Sequence, residues 1–454
     1  MTLRRLALLT GILAVLLGFI VILERRLPTT QERLDKGDVL WQVDEADISK
    51  IEIQRDGSVL EFSRNPPEDW KMIRPEAYPA DSSSLSSLVF DLAKPSREGE
   101  APAAANEPDY GLVTPRAVVT ISTKGTKDKK AEAHTLSIGK DIPGTDTVAA
   151  RVKGENRTVF VRSSVATDLL KPLDGFKSKK VFQGSLVDVS QLTLLRGRGR
   201  LDFEKRKDSW WMTRPVADLA SSSQVTRLLD GLLAANVTEF LKIPKGDFGG
   251  DGLAPPIYTV TMTIARKPQV LEIGATRADG KSVYARSGEQ TFALDATLTD
   301  DLSKEADAYR ETKVARFETS NVRQLDWKTA DSIRSFKKDG AQWTESGKPV
   351  PAQSVEDVLT AIASLDAADF LGEAETKGLS GQAESASWKI GLASGESISA
   401  SVRPESPGRV AVKVADRSQA LLVSTGDLEK VVAAEKKVSA PPAPATPAPK
   451  KTIR

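Results

Sequence analysis

The sequence predicts an α+β fold: an N-terminal membrane anchor followed by about three repeated units, each a mainly antiparallel sheet with a helix on one face. Three observations carry this. One stretch is written more than once. It reads Trp70-Lys71-Met72-Ile73-Arg74-Pro75 and again Trp210-Trp211-Met212-Thr213-Arg214-Pro215. The offset is 140 at Trp70/Trp210, Arg74/Arg214, Pro75/Pro215 and Ala80/Ala220, which marks an internal repeat. Second, each copy is followed by apolar residues at helical spacing: Leu85, Leu88, Val89 and Leu92, then Val225, Leu228, Leu229 and Leu232. Third, Leu6 to Leu23 is an uncharged apolar run of 18 residues.

That apolar run is at the short end of a membrane-spanning helix. A secretory signal peptide is the rival reading. It wants a small-residue cleavage site, and Phe19 to Glu24 offers none. Residues 1–26 are therefore read as an uncleaved anchor with its flanks, and 27–46 as a polar connector. Arg4 and Arg5 favour a cytoplasmic N-terminus, although Arg25 and Arg26 flank the other end. This places a single-pass protein in the inner (cytoplasmic) membrane with the bulk of the chain in the periplasm.

Unit 1 spans residues 47–184. It opens with the strand Asp47 to Ile53, and the tryptophan strand ends at Arg74-Pro75. Proline removes a ladder donor there and biases its predecessor away from helix. Asp81 to Ser84 then offer side-chain oxygens to the orphan N–H groups of a helix start. Serine in such a cluster reads as cap and loop rather than nucleophile. Tyr110-Gly111-Leu112 is a turn before the strand Ala117 to Ser122. Further strands and a short helix near Val165 to Leu170 lead to Phe176-Lys177-Ser178-Lys179-Lys180-Val181.

Unit 2, residues 185–318, repeats this order. Asp251-Gly252-Leu253 matches the turn, and Tyr309-Arg310-Glu311-Thr312-Lys313-Val314 matches the close. The cluster Gly246, Gly249, Gly250 and Gly252 lacks the Gly-Lys-Ser/Thr ending of a phosphate loop. Unit 3, residues 319–436, is degenerate. Trp343 holds the tryptophan position, Val355, Val358, Leu359 and Ile362 the helix face, and Gly378-Leu379 the turn. Lys348-Pro349 replaces Arg-Pro. Terminal repeats are commonly atypical. Residues 437–454 are a Pro/Ala-rich tail that lacks the means to pack a core.

Composition narrows the chemistry. Lys+Arg is 64 and Asp+Glu is 62, without the basic excess of a nucleic-acid protein. With no cysteine and one histidine, the chain excludes disulfides, thiol catalysis and Cys/His zinc sites. A serine triad would have to use His134, which lies beside the lysine-rich run Lys124 to Lys130 and reads as a surface residue. No catalytic residue, metal site or cofactor is assigned. Acidic residues are plentiful, so carboxylate-only hydrolysis stays open.

The anchor, the repeated Trp-x-x-x-Arg-Pro followed by Ala-Asp/Ser-Ser, and the Gly-Leu-x-x-Pro turn resemble an uncharacterised family, domain of unknown function 4340. The resemblance covers residues 47–318 well and 321–434 loosely. Members of that family are often encoded beside ABC transporters of the gliding-motility type. The resemblance implies a non-enzymatic extracytoplasmic accessory or scaffold subunit, partnered by an ABC permease or a second anchored subunit. It supplies no catalytic residues. The alternatives are an envelope-polymer (glycan) binding protein and a carboxylate-based hydrolase of such a polymer.

Trp211 is the candidate binding residue. Side chains alternate faces along a strand. Trp70, Trp210 and Trp343 should point to the core, and their successors Lys71, Trp211 and Thr344 outward. Trp211 thus places a large aromatic where its counterparts are polar. It either packs against a neighbouring unit or contacts a partner or glycan.

Overall fold

Alternation along the tryptophan strands holds in all three copies. Trp70, Trp210 and Trp343 are 3%, 5% and 0% exposed. Lys71 is exposed, and Trp211 and Thr344 are half-buried. These residues belong to a computed structural model that describes residues 39–65, 69–102, 107–125, 130–243 and 250–438. The expected anchor, all but the end of the connector, Gly246 and Gly249, and the tail from residue 439 on lie outside the described residues. Among the described residues, no helix is long and apolar enough to cross a membrane.

The described residues form three antiparallel sheets of nine strands each. Numbered within each repeat, every sheet has the order 4-3-2-1-6-7-8-9-5. Strands one to four form a meander. A helix then carries the chain to the opposite edge, where strand five lies. Strand six returns to the centre beside strand one, and strands six to nine meander back to strand five. The centre is fixed by apolar pairing. Ile51 lies opposite Phe62 and Ile121, Leu192 opposite Phe203 and Met262, and Leu325 opposite Phe336 and Ile390. All nine are buried.

The connecting helices are Ser82–Ala93, Ser222–Ala234 and Ala352–Ala363. Each buries the apolar stripe that its spacing predicts, including Leu88, Leu229 and Leu359. Asp81 caps the first, accepting from the Ser84 amide at 2.7 Å. A second helix follows strand nine: Ser163–Leu169, Leu298–Leu302 and the longer Thr425–Lys436.

The Gly-Leu turn has a steric reason. Gly111 and Gly252 have φ of 70° and 66°. The turn also lies directly on the seventh strand: a Cβ on Gly139 would sit 2.1 Å from the Tyr110 carbonyl oxygen, and one on Gly274 2.2 Å from that of Asp251. In repeat 3 the expected turn is replaced. Gly378 ends the helix Glu373–Gly378, and Leu379 packs on Leu371, Ala411, Ala420 and Leu422.

Three sheets make two compact units. The described residues up to Lys179 form one, with repeat 1. The described residues from Lys180 on form the other, with repeats 2 and 3 together.

Candidate functional site

The Arg-Pro signature is built on a bulge. In repeat 1 the ladder slips between Glu61 and Phe62, bringing Arg74 opposite Glu61; in repeat 2 it slips between Asp202 and Phe203, bringing Arg214 opposite Asp202. Arg74 Nε donates to Glu61 at 2.7 Å, and Lys50 lies 3.1 Å from the same carboxylate. The hydrogen bond from Arg74, then that from Lys50, holds the Glu61 carboxyl below the usual glutamate range. Arg214 Nε lies 3.6 Å from Asp202, which also accepts from Thr193 at 2.7 Å and Arg200 at 2.8 Å. Repeat 3 has Lys348 in the signature position. Its ion pair between the second and third strands is a different one, Arg334 with Glu345 at the positions of Leu60 and Met72, bidentate at 2.7 Å for both contacts. The conspicuous arginines are therefore occupied in fixing strand ends. Glu52 and Glu61 share Lys50 and Arg74. A glycosidic acid would need a raised pKa, and Glu61 is shifted the other way.

Trp211 lies on the opposite side of its strand from Trp210. Its cross-strand partners are Glu204 and Leu219, and the Arg206 guanidinium lies 5.3 Å from its ring centroid. The residue thus presents a half-buried aromatic, an acid and a base together on the face of sheet 2 that does not carry the main core.

Beside it is a cluster that no sequence motif announced. Trp211 pairs with Leu219, and Asp218 precedes Leu219 on the edge strand. Asp218 is fully buried. It accepts from Arg310 Nε at 2.8 Å, and from Arg417 Nε at 2.7 Å and Nη2 at 2.9 Å. Arg310 comes from the closing stretch of repeat 2, directly after the turn Ala306–Tyr309. Arg417 comes from the turn before the ninth strand of repeat 3 (Leu421–Ser424). The Phe370 ring lies under both, 3.6 Å from Arg310 Cζ and 5.8 Å from Arg417 Cζ. Arg417 also donates to the Glu311 carbonyl at 2.7 Å, and Ser418 donates to the Ala217 carbonyl at 2.6 Å. Two arginines on one buried carboxylate satisfy a charge that would otherwise be costly to desolvate. The cluster ties repeat 2 to repeat 3. Repeat 1 has Tyr78 and Lys177 at the positions of Asp218 and Arg310. There Lys177 pairs with Glu76 at 2.6 Å and Asp174 at 3.3 Å. A charged pair of this kind has no local pattern, because its partners are far apart in sequence. The one available signal was the paired close, Lys177 against Arg310.

The remaining candidates have structural partners. Ser84 Oγ donates to the Gly175 carbonyl at 3.0 Å, and Ser221 and Ser223 hydroxyls meet at 3.1 Å. His134 is not the free surface residue that its neighbours suggested. Its ring stacks on Trp41 at 5.1 Å and 13°, leaving the side chain 25% exposed. The segment that carries Trp41 precedes the first strand, and nothing local in the sequence pairs it with His134. Among the described residues no cluster of three or more His, Asp or Glu is placed to hold a metal ion.

Fold and site together define a class: a repeat protein of sheet-and-helix units whose recurring residues seat one element on another. The family described as "Domain of unknown function (DUF4340)" matches residues 70–248 and 210–382. The chain belongs to this family. The matches begin at Trp70 and Trp210, the tryptophans that define the repeat. No curated protein matches the sequence. One solved structure with similarity is a DnaN sliding clamp (DNA polymerase III subunit beta) from Pseudomonas aeruginosa. It is 8% identical, with a TM-score of 0.13 over 86% of this chain and 95% of the clamp. Agreement that low carries no argument.

Proposed function

We propose that the protein is a non-enzymatic scaffold, an accessory subunit of an ABC-type transport or export system, anchored in the inner membrane with its repeats in the periplasm. The observation that supports this most is where the repeated residues go. The signature tryptophans fill cores, the signature arginines hold acids at bulges, and the turn glycines admit a close backbone crossing. Repetition here serves to build surface, as repeat proteins do. The transporter association itself comes from the family resemblance, an associational warrant. Extraction of tagged protein from membranes in mild detergent tests it. A permease or a second anchored subunit should co-purify in stoichiometric amount, and purification of the chain alone from several detergents would contradict the reading.

A second reading is binding of an envelope glycan. Trp211 with Glu204 and Arg206 offers a ring and flanking hydrogen-bonding groups of the sort that sugars stack upon. Retention on isolated cell-wall polymer, lost in Trp211→Lys, is the expected sign. Equal retention of the two forms would remove this reading.

A further inference from the structure

Each of the first two repeats uses the edge of its fourth strand to seat the chain segment that leaves the repeat. In repeat 1 the Asp81 amide donates to the Phe176 carbonyl at 2.8 Å, and the Ser178 amide donates to the Pro79 carbonyl at 2.9 Å. In repeat 2 the Ser221 amide donates to the Tyr309 carbonyl at 2.8 Å, and the Glu311 amide to the Leu219 carbonyl at 2.9 Å. The same strap places an aromatic against the second strand. Phe176 meets Phe62 at 5.3 Å, and Tyr309 meets Phe203 at 5.5 Å. The basic residue that follows, Lys177 or Arg310, is buried.

Repeat 3 keeps the edge and changes both contacts. Its fourth strand, Lys348–Val350, pairs Val350 with Trp343, so Val350 corresponds to Ala80 and Ala220, which bond to Trp70 and Trp210. The next residue, the counterpart of the donors Asp81 and Ser221, is Pro351. Proline has no amide hydrogen to donate. The backbone is otherwise alike: φ is −72° at Asp81, −67° at Ser221 and −60° at Pro351, each the residue before its helix. The substitution therefore removes the donor without changing the path. The aromatic slot is taken as well. Arg334 Cζ lies 4.8 Å from the Phe336 ring, the counterpart of Phe62 and Phe203. Arg334 is held there by Glu345, by Glu435 at 2.9 Å and by the Val438 carbonyl at 2.6 Å. Glu435 and Val438 come from the final helix and its end, the longest of the three.

We propose that the fourth-strand edge of repeat 3 is closed: Pro351 and the Arg334–Glu345–Glu435 cluster block the strap seat, so a further strand, including one from a second copy of this chain, does not add there. Proline and charge are the usual means of protecting an exposed sheet edge.

The test restores the donor and the slot in the full-length protein. A fluorescent peptide with the sequence of Glu305 to Val314, the strap of repeat 2, is titrated against wild type and against Pro351→Ser/Arg334→Leu. Wild type should show no saturable anisotropy change and the double variant should bind. Binding to wild type as tight as to the variant, or to neither protein, would overturn the proposal. Should the double variant lose cooperative melting, the reciprocal change decides. Ser221→Pro should speed amide exchange at Glu311 by about tenfold, as loss of one strap hydrogen bond implies. Unchanged exchange would show that this amide does not control seating and would equally overturn it.

Discussion

Trp210 and Trp211 are neighbours that face opposite ways, and lysine at each asks a different question. Trp210 is 5% exposed in a continuous apolar core. Trp210→Lys buries a charge without a partner and should abolish cooperative unfolding. Trp211→Lys should leave the melting curve nearly unchanged and weaken capture of a partner. Circular-dichroism melts of both variants check this, and the opposite ranking would put the strand in the other phase. Asp218 is a sharper case. Asp218→Ala leaves Arg310 and Arg417 buried against Phe370 with their shared anion gone. The expected cost is about 3–5 kcal/mol, the scale of a broken buried pair. Denaturant unfolding should show it. A loss under about 0.5 kcal/mol, the size of a neutral surface change, would mean that the cluster is incidental.

At the level of elements, the sequence was legible where the physics is local. Helical spacing located the stripes of Ser82–Ala93, Ser222–Ala234 and Ala352–Ala363, and alternation gave the phase of the tryptophan strands. Leu88 and Leu229 are both fully buried on their helix stripes, where the offset of 140 pairs Leu88 with Leu228 and Val89 with Leu229. Each change to Ala should cost roughly 2–5 kcal/mol, and values below about 0.5 at both sites would contradict the packing. What could not be read depends on long-range pairing. The placement of strand five beyond strand nine, reached by a helix crossing, has no local signature. Gly378-Leu379 reads in the sequence like Gly111-Leu112 and Gly252-Leu253, yet Gly378 closes a helix with φ of −61° where the other two glycines make positive-φ turns. His134 looked exposed because its stacking partner, Trp41, arrives from a segment before the first strand.

For the whole molecule, the repeat is the organising fact. The family matches at Trp70 and Trp210 mark two copies, and the third sheet shows that the degenerate copy keeps the full strand order. Repeats 2 and 3 belong to one compact unit, joined by Arg417 reaching the Asp218 edge. The candidate face of sheet 2 was legible only as Trp211. Its neighbours Glu204 and Arg206 are set by cross-strand register, and the buried joint beside it by contacts across about 200 residues. An accessory scaffold should spend a face of this kind on a partner. The most direct measurement is photo-crosslinking in intact membranes from a photoreactive amino acid at position 211, followed by mass spectrometry. The account predicts a specific adduct with a transporter permease or a second anchored subunit, lost when Arg206 and Glu204 are replaced together by Ala. Adducts with lipid or glycan alone, or a partner yield unchanged by those replacements, would contradict it.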